Sequence, residues 1–175
     1  MSALLAACAD GTATRSLEPV GARSDAAARF PDLGACETLL KVPVGSTVAF
    51  HAFATGVQIY RWSGTSWAFV APAADLFADA GKHGLIGTHF GGPTWQTVSG
   101  SRVVGTVSGR CTPNSAAIPW LVLDAVADGP GVFQGTKFIQ RLNTVGGNAP
   151  TAPGSTVGEE ARVPYTADYY FYRAP

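Results

Sequence analysis

From Thr38 to Tyr172 the chain is a succession of short runs of aromatic and β-branched residues, each cut off by Gly or Pro. Half-buried strands read this way in sequence. Ser46 to Thr55 alternates, with Val48, Phe50 and Ala52 on one face and His51 and Phe53 on the other. Gly56 is expected to end that strand. Val57 to Trp62 is expected to form the next, with Val57, Ile59 and Arg61 opposite Gln58, Tyr60 and Trp62. Ser63-Gly-Thr-Ser66 reads as a hairpin loop leading back into Trp67–Val70. Asp79-Ala-Gly81 and Ser99-Gly100 mark further turns, the second between Thr94–Val98 and Arg102–Val107. Ile118 to Val126 is apolar enough to be buried on both faces. Asp128–Gly131 breaks it before Val132–Leu142, and Tyr165–Tyr172 supplies a last strand. Roughly ten strands with frequent turns predict an all-β, single-domain antiparallel β-sandwich or barrel with little helix.

Composition narrows the classes of function. Lys plus Arg and Asp plus Glu balance at twelve each, and charged residues make up only 14% of the 175. Binding to nucleic acid, or to an acidic membrane surface by charge alone, needs a concentrated basic surface that this balance does not supply. The first residues suggest an address. Leu5-Ala6-Ala7-Cys8 has the form of a bacterial lipoprotein cleavage box, in which Cys8 receives the lipid. Residues 1–8 are then the remnant of a lipoprotein signal whose charged and apolar parts lie upstream. Residues 9–35, rich in Ala, Gly, Asp and Arg, are expected to be a flexible leader, and residues 36–175 the β-rich domain. The predicted location is the bacterial cell envelope, as a periplasmic or outer-membrane lipoprotein held by its lipid, or alternatively secretion. With Cys8 lipidated, Cys36 and Cys111 remain. Two cysteines can form a disulfide in an oxidising compartment or stay as separate buried thiols.

Six stretches recur at the spacing of a β protein: Gly56-Val-Gln-Ile-Tyr-Arg-Trp62, Trp67–Leu76, Gly87-Thr-His-Phe-Gly-Gly-Pro-Thr-Trp95, Ile118–Leu123, Ile139–Gly147 and Val163–Tyr172. Together they resemble the family catalogued as domain of unknown function 3455, found in exported bacterial and secreted fungal proteins. The resemblance runs from about Leu40 to Tyr172. It implies a secreted or periplasmic β-rich domain and no reaction. Bacterial members often carry Cys where this chain has Trp62, and another near Gly154 and Ser155. Their joint absence here is what loss of a disulfide looks like. The family's usual Glu in Pro-Glu-Ala is Ala73 in this chain.

Candidate chemistry is sparse. His89 stands in a Gly-Gly-Pro turn sequence with Trp95, which could present imidazole and indole to one cleft. It could bind a ligand, a metal or haem, act as a general base, or simply bond a nearby backbone carbonyl. Arg61, Arg141 and Asp168 fall inside apolar strands. An internal Arg–Asp bridge would account for them, and so would an Arg that works with Asn143 to hold an anionic ligand. Tyr165, Tyr169, Tyr170 and Tyr172 could form a platform, although alternation assigns half of them to the core. No nucleophile elbow, metal-ligand spacing or phosphate-cradling glycine motif occurs. The reading is therefore an exported, envelope-associated domain without catalytic residues or a protein metal centre, and with no cofactor identified. It is expected to bind a small molecule, glycan or envelope protein near His89 and Trp95, with Arg61, Arg141 and Asn143 as further contacts. The alternative is a His89-dependent metal- or haem-binding enzyme or redox protein.

Overall fold

The structure, a computed structural model, describes residues 30–175. Cys8 and most of the expected leader lie outside the described residues. Eight antiparallel strands follow one another around a closed barrel: β1 (Thr47–Trp62), β2 (Trp67–Phe77), β3 (Leu85–Phe90), β4 (Thr94–Thr97), β5 (Arg102–Cys111), β6 (Trp120–Asp128), β7 (Thr136–Gly146) and β8 (Glu160–Arg173). Each pairs with the next, and β8 closes the ring against β1, so no strand edge is left open. Of the two expected architectures, the chain adopts the barrel.

The strand count falls below the expectation because Gly56 does not end its strand. β1 runs through it, pairing Gly56 with Ala74 on one side and Tyr165 on the other. A side chain there would collide with the Ala73 carbonyl and Ala74, so glycine lets β2 cross close by. The other difference lies before β7. Val132 and Phe133 belong to the β6–β7 connection, not to a strand, and Phe133 is wholly buried.

Alternation divides the side chains into an inner and an outer layer. Inside lie Ala52, Ala54, Leu76, Trp95, Val103, Leu123, Ile139, Tyr169 and Phe171, joined by Phe133. A second cluster sits on the outside of the barrel, where Leu40 of a helical turn, α1 (Glu37–Leu40), and Leu33 and Cys36 just before it cover Val122 and Leu142. This is why β6 is buried on both faces at Leu121–Leu123; beyond that alternation resumes with Asp124 and Val126 exposed, so the run is not buried on both faces as far as Val126. The covering segment begins within the stretch expected to be leader: Leu33 is buried and Phe30 stacks on Tyr172 at 5.9 Å. Cys36 and Cys111 are joined by a disulfide, with Cα atoms 5.8 Å apart, which staples the turn to the end of β5.

The two ends of the barrel differ. One carries the β2–β3, β4–β5 and β6–β7 connections and is stoppered. Phe133 packs at 4.6 Å from Phe171 and 5.6 Å from Phe50, and its backbone N–H donates to Ser101 Oγ at 3.1 Å. Gly131, at φ 116°, permits this closure, because a Cβ there would stand 2.7 Å from the Ser101 side chain. The other end, with the β1–β2, β3–β4, β5–β6 and β7–β8 connections, opens into the barrel.

Candidate functional site

A cavity of about 420 Å³ enters the barrel at the open end, within the range of small-molecule pockets. Its walls are mostly apolar: Pro72, Ile118, Leu121 and Leu123, with the rings of Trp95 and Tyr169. Phe69, Val70 and Val107 line it too and are partly exposed to solvent. Gln58, Tyr60, His89, Arg110 and Arg141 add polar groups. The β3–β4 turn shapes one side through Gly91, Gly92 and Pro93, and the register places His89 directly opposite Trp95.

His89 is buried, and its ring lies parallel to the Trp95 indole at a centroid distance of 4.3 Å. Nδ1 sits 2.9 Å from the Thr94 carbonyl oxygen. A carbonyl only accepts, so Nδ1 carries the proton and Nε2 holds the lone pair. Burial depresses the imidazole pKa from 6.5 to about 3, the Thr94 bond opposes this, and the positive charge of Arg141 reinforces it. At neutral pH His89 is uncharged. Burial likewise pushes the Tyr169 and Tyr165 hydroxyls above their ordinary range, so both stay protonated.

Arg141 reaches the cavity from β7. Its Nε and Nη2 donate to the Pro119 carbonyl at 3.2 and 2.8 Å. Thr144 Oγ1 donates to the Ile118 carbonyl at 2.6 Å, and Ile118 N–H donates to Gly146 O at 2.9 Å. These bonds hold the β5–β6 connection beside the opening. Tyr60 closes the opposite wall by donating to Gly147 O at 2.7 Å. Gly105 makes room for the indole, since a Cβ there would stand 3.1 Å from the Trp95 benzo ring. Two buried donors in these walls, Gln58 Nε2 and Trp95 Nε1, have no protein acceptor.

The expected contacts therefore separate. His89, Trp95 and Arg141 share the cavity; Arg61 and Asn143 do not. Arg61 is exposed on the outer face and pairs with Glu160 at 2.7 Å. Asn143 is exposed at φ 51°, and its side-chain amide donates to Asp168 at 2.7 Å. The register shift between Leu142 and Val145 breaks strict alternation there. The internal Arg–Asp bridge does not form: Arg141 bonds a carbonyl, and Asp168 takes Asn143. The tyrosines make no open platform, for Tyr165 and Tyr169 fill the interior while Tyr172, on the outer face, is covered. Gln58, Tyr60 and Arg110 went unnoticed as contacts. The alternation of β1 already placed Gln58 and Tyr60 together, opposite Arg61, and a buried face holding a glutamine was the available signal.

Fold and cavity together define an up-and-down barrel with one stoppered and one open end. A family model for a protein of unknown function, DUF3455, matches residues 43–173, and the chain belongs to that family. Comparison with curated proteins and with solved structures found no match. The positions at which the resemblance noted missing cysteines are neighbours here. A Cβ on Gly154 would stand 2.6 Å from Trp62 Cγ, so the Trp62 indole packs directly on the glycine. Trp67 Nε1 donates to Ala152 O at 2.9 Å and secures the same connection.

Proposed function

We propose that this protein is a binding protein for a small, largely apolar molecule, taken into the open end of the barrel. The observation that carries the reading is the coincidence of an apolar cavity with unpartnered polar atoms in its walls. A buried donor without an acceptor costs about 1–3 kcal/mol, and a ligand supplying that acceptor recovers it. A cavity inside a barrel suits a small molecule better than a glycan chain or a protein surface. Titration with the neutral fluorophore N-phenyl-1-naphthylamine tests it. Saturable enhancement at one site is expected, abolished by Leu121→Trp, which fills the cavity. Absence of binding, or equal binding by a folded Leu121→Trp variant, would defeat the reading.

The metal or haem alternative draws on one observation, the lone pair of His89 Nε2. Arg141 beside it opposes a cation, and no group of three His, Cys, Asp or Glu side chains converges among the described residues. Metal analysis and an absorption spectrum of protein from its native host separate the two; stoichiometric metal or a Soret band would favour the alternative. Export to an oxidising compartment belongs to the same proposal and draws support from the Cys36–Cys111 disulfide. Anchoring through lipid on Cys8 is tested by Cys8→Ser in the full-length gene product, which should release the protein from the membrane fraction.

A further inference from the structure

Building on the small-molecule reading, we infer that the ligand is an apolar carboxylic acid bound as its anion, with the carboxylate at Arg141. Charge in the cavity is one-sided. Arg141 and Arg110 line it, and no Asp or Glu does. Among the described residues Arg141 has no carboxylate within 4 Å; the salt bridges present are Arg61–Glu160 and His83–Asp79. A half-buried guanidinium without a counter-ion is costly, and an anion from outside is its natural complement. The orientation of the group is already fixed. Nε and Nη2 are tied to the Pro119 carbonyl, with the neutral Tyr169 hydroxyl alongside and no carboxylate.

The neutral polar groups agree. Gln58 Nε2 and Trp95 Nε1 are donors lacking acceptors, so the site is short of acceptor oxygens, which a carboxylate brings. His89 is uncharged and adds no second cation beside Arg141. With one fixed guanidinium inside and Arg110 exposed, the site suits a single negative charge better than a phosphate dianion. The aromatic and branched walls accept the apolar body, whether a flat ring or a short alkyl chain.

Calorimetric titration of the full chain with cinnamate, octanoate, their primary amides and phenyl phosphate tests the inference. An acid should bind about tenfold or more tightly than its own amide, the scale of a charge-assisted hydrogen bond. Whether cinnamate or octanoate is preferred distinguishes an aromatic from an aliphatic body. Arg141→Gln should bring the acid to the level of its amide; Arg110→Gln should have a much smaller effect. Equal binding of acid and amide, or tighter binding of phenyl phosphate, would overturn the carboxylate assignment. If that happens while N-phenyl-1-naphthylamine still binds, the small-molecule reading survives it. If neither the fluorophore nor any acid or amide binds, both fail. Should Arg141→Gln not fold, the acid–amide comparison on the unaltered protein decides alone.

Discussion

The stoppered and open ends of the barrel are made by the same eight strands, yet they solve the problem of a barrel interior in opposite ways. At the stoppered end Phe50, Phe133 and Phe171 fill the space, Ser101 Oγ accepts a hydrogen bond from the Phe133 backbone, and the unpartnered buried atoms are two short hydroxyls, Ser46 Oγ and Thr136 Oγ1. At the open end Gln58 Nε2 and Trp95 Nε1 are buried without partners, His89 is kept neutral by burial, and Arg141 has a carbonyl and a neutral hydroxyl but no carboxylate. Complete packing and satisfied polar groups are what stability alone selects. Unpartnered buried atoms occur at both ends, but only at the open end do they border a cavity beside a guanidinium, and that is where stability is given up for another use. The comparison would be broken if substitutions at the two ends behaved alike.

The largest expected effect is the response of the open end to acid. His89 has a folded pKa of about 3 against an ordinary 6.5, so between these values the unfolded chain binds a proton that the native state refuses. Its contribution is fully present above pH 6.5 and is lost as pH falls toward 3, a difference of roughly 5 kcal/mol over the window. Urea unfolding across that range should show stability falling with acid, and His89→Gln should flatten the fall. An unchanged slope in the variant would remove His89 from the account.

The stoppered end should respond to loss of volume instead. Phe133→Ala removes a wholly buried ring and is expected to cost about 3–5 kcal/mol, with little dependence on pH. Chemical denaturation at neutral pH measures it. A cost below about 1 kcal/mol would mean that the end is loosely closed. Removing the Cys36–Cys111 bridge by a double Ala substitution tests the outer layer, which is stapled to β5 on the outside of the barrel beside the open end. It should cost about 2–4 kcal/mol and leave binding of the naphthylamine probe unchanged. Loss of binding would tie the staple to the cavity.

Much of this architecture was legible in the residues. Alternation gave the faces of β1, the Ser63–Ser66 turn gave the first hairpin, and the expectation that the apolar run of β6 is buried on both faces holds for Leu121–Leu123, which the α1 segment covers, but not for Val126. What alternation could not supply was whether a glycine interrupts or merely narrows a strand. Gly56 and Gly131 are alike as letters, but one passes through a sheet and the other closes a loop onto Ser101. The site was half legible for a related reason. His89 and Trp95 are joined by a short turn, so local sequence brings them together. Arg61 and Arg141 look equivalent in isolation, both charges within apolar strands. Only the phase of each strand in the closed ring turns Arg141 inward and leaves Arg61 with Glu160.

The smallest effect is the most discriminating, because its sign is opposite to that of a core substitution elsewhere. Gln58 is 2% exposed, points from β1 toward the interior, and its Nε2 has no acceptor. Gln58→Leu nearly keeps the shape while removing an unsatisfied donor, so the ligand-free protein should gain about 1 kcal/mol. The same change deletes a group that a bound carboxylate would satisfy, so affinity for the acid should fall severalfold while affinity for a neutral apolar probe holds or rises. Denaturation without ligand and titration with acid and amide read the two halves separately. A leucine that destabilises the free protein would mean that Gln58 finds a partner in the resting barrel, and the contrast between the two ends would then rest on Trp95, His89 and Arg141.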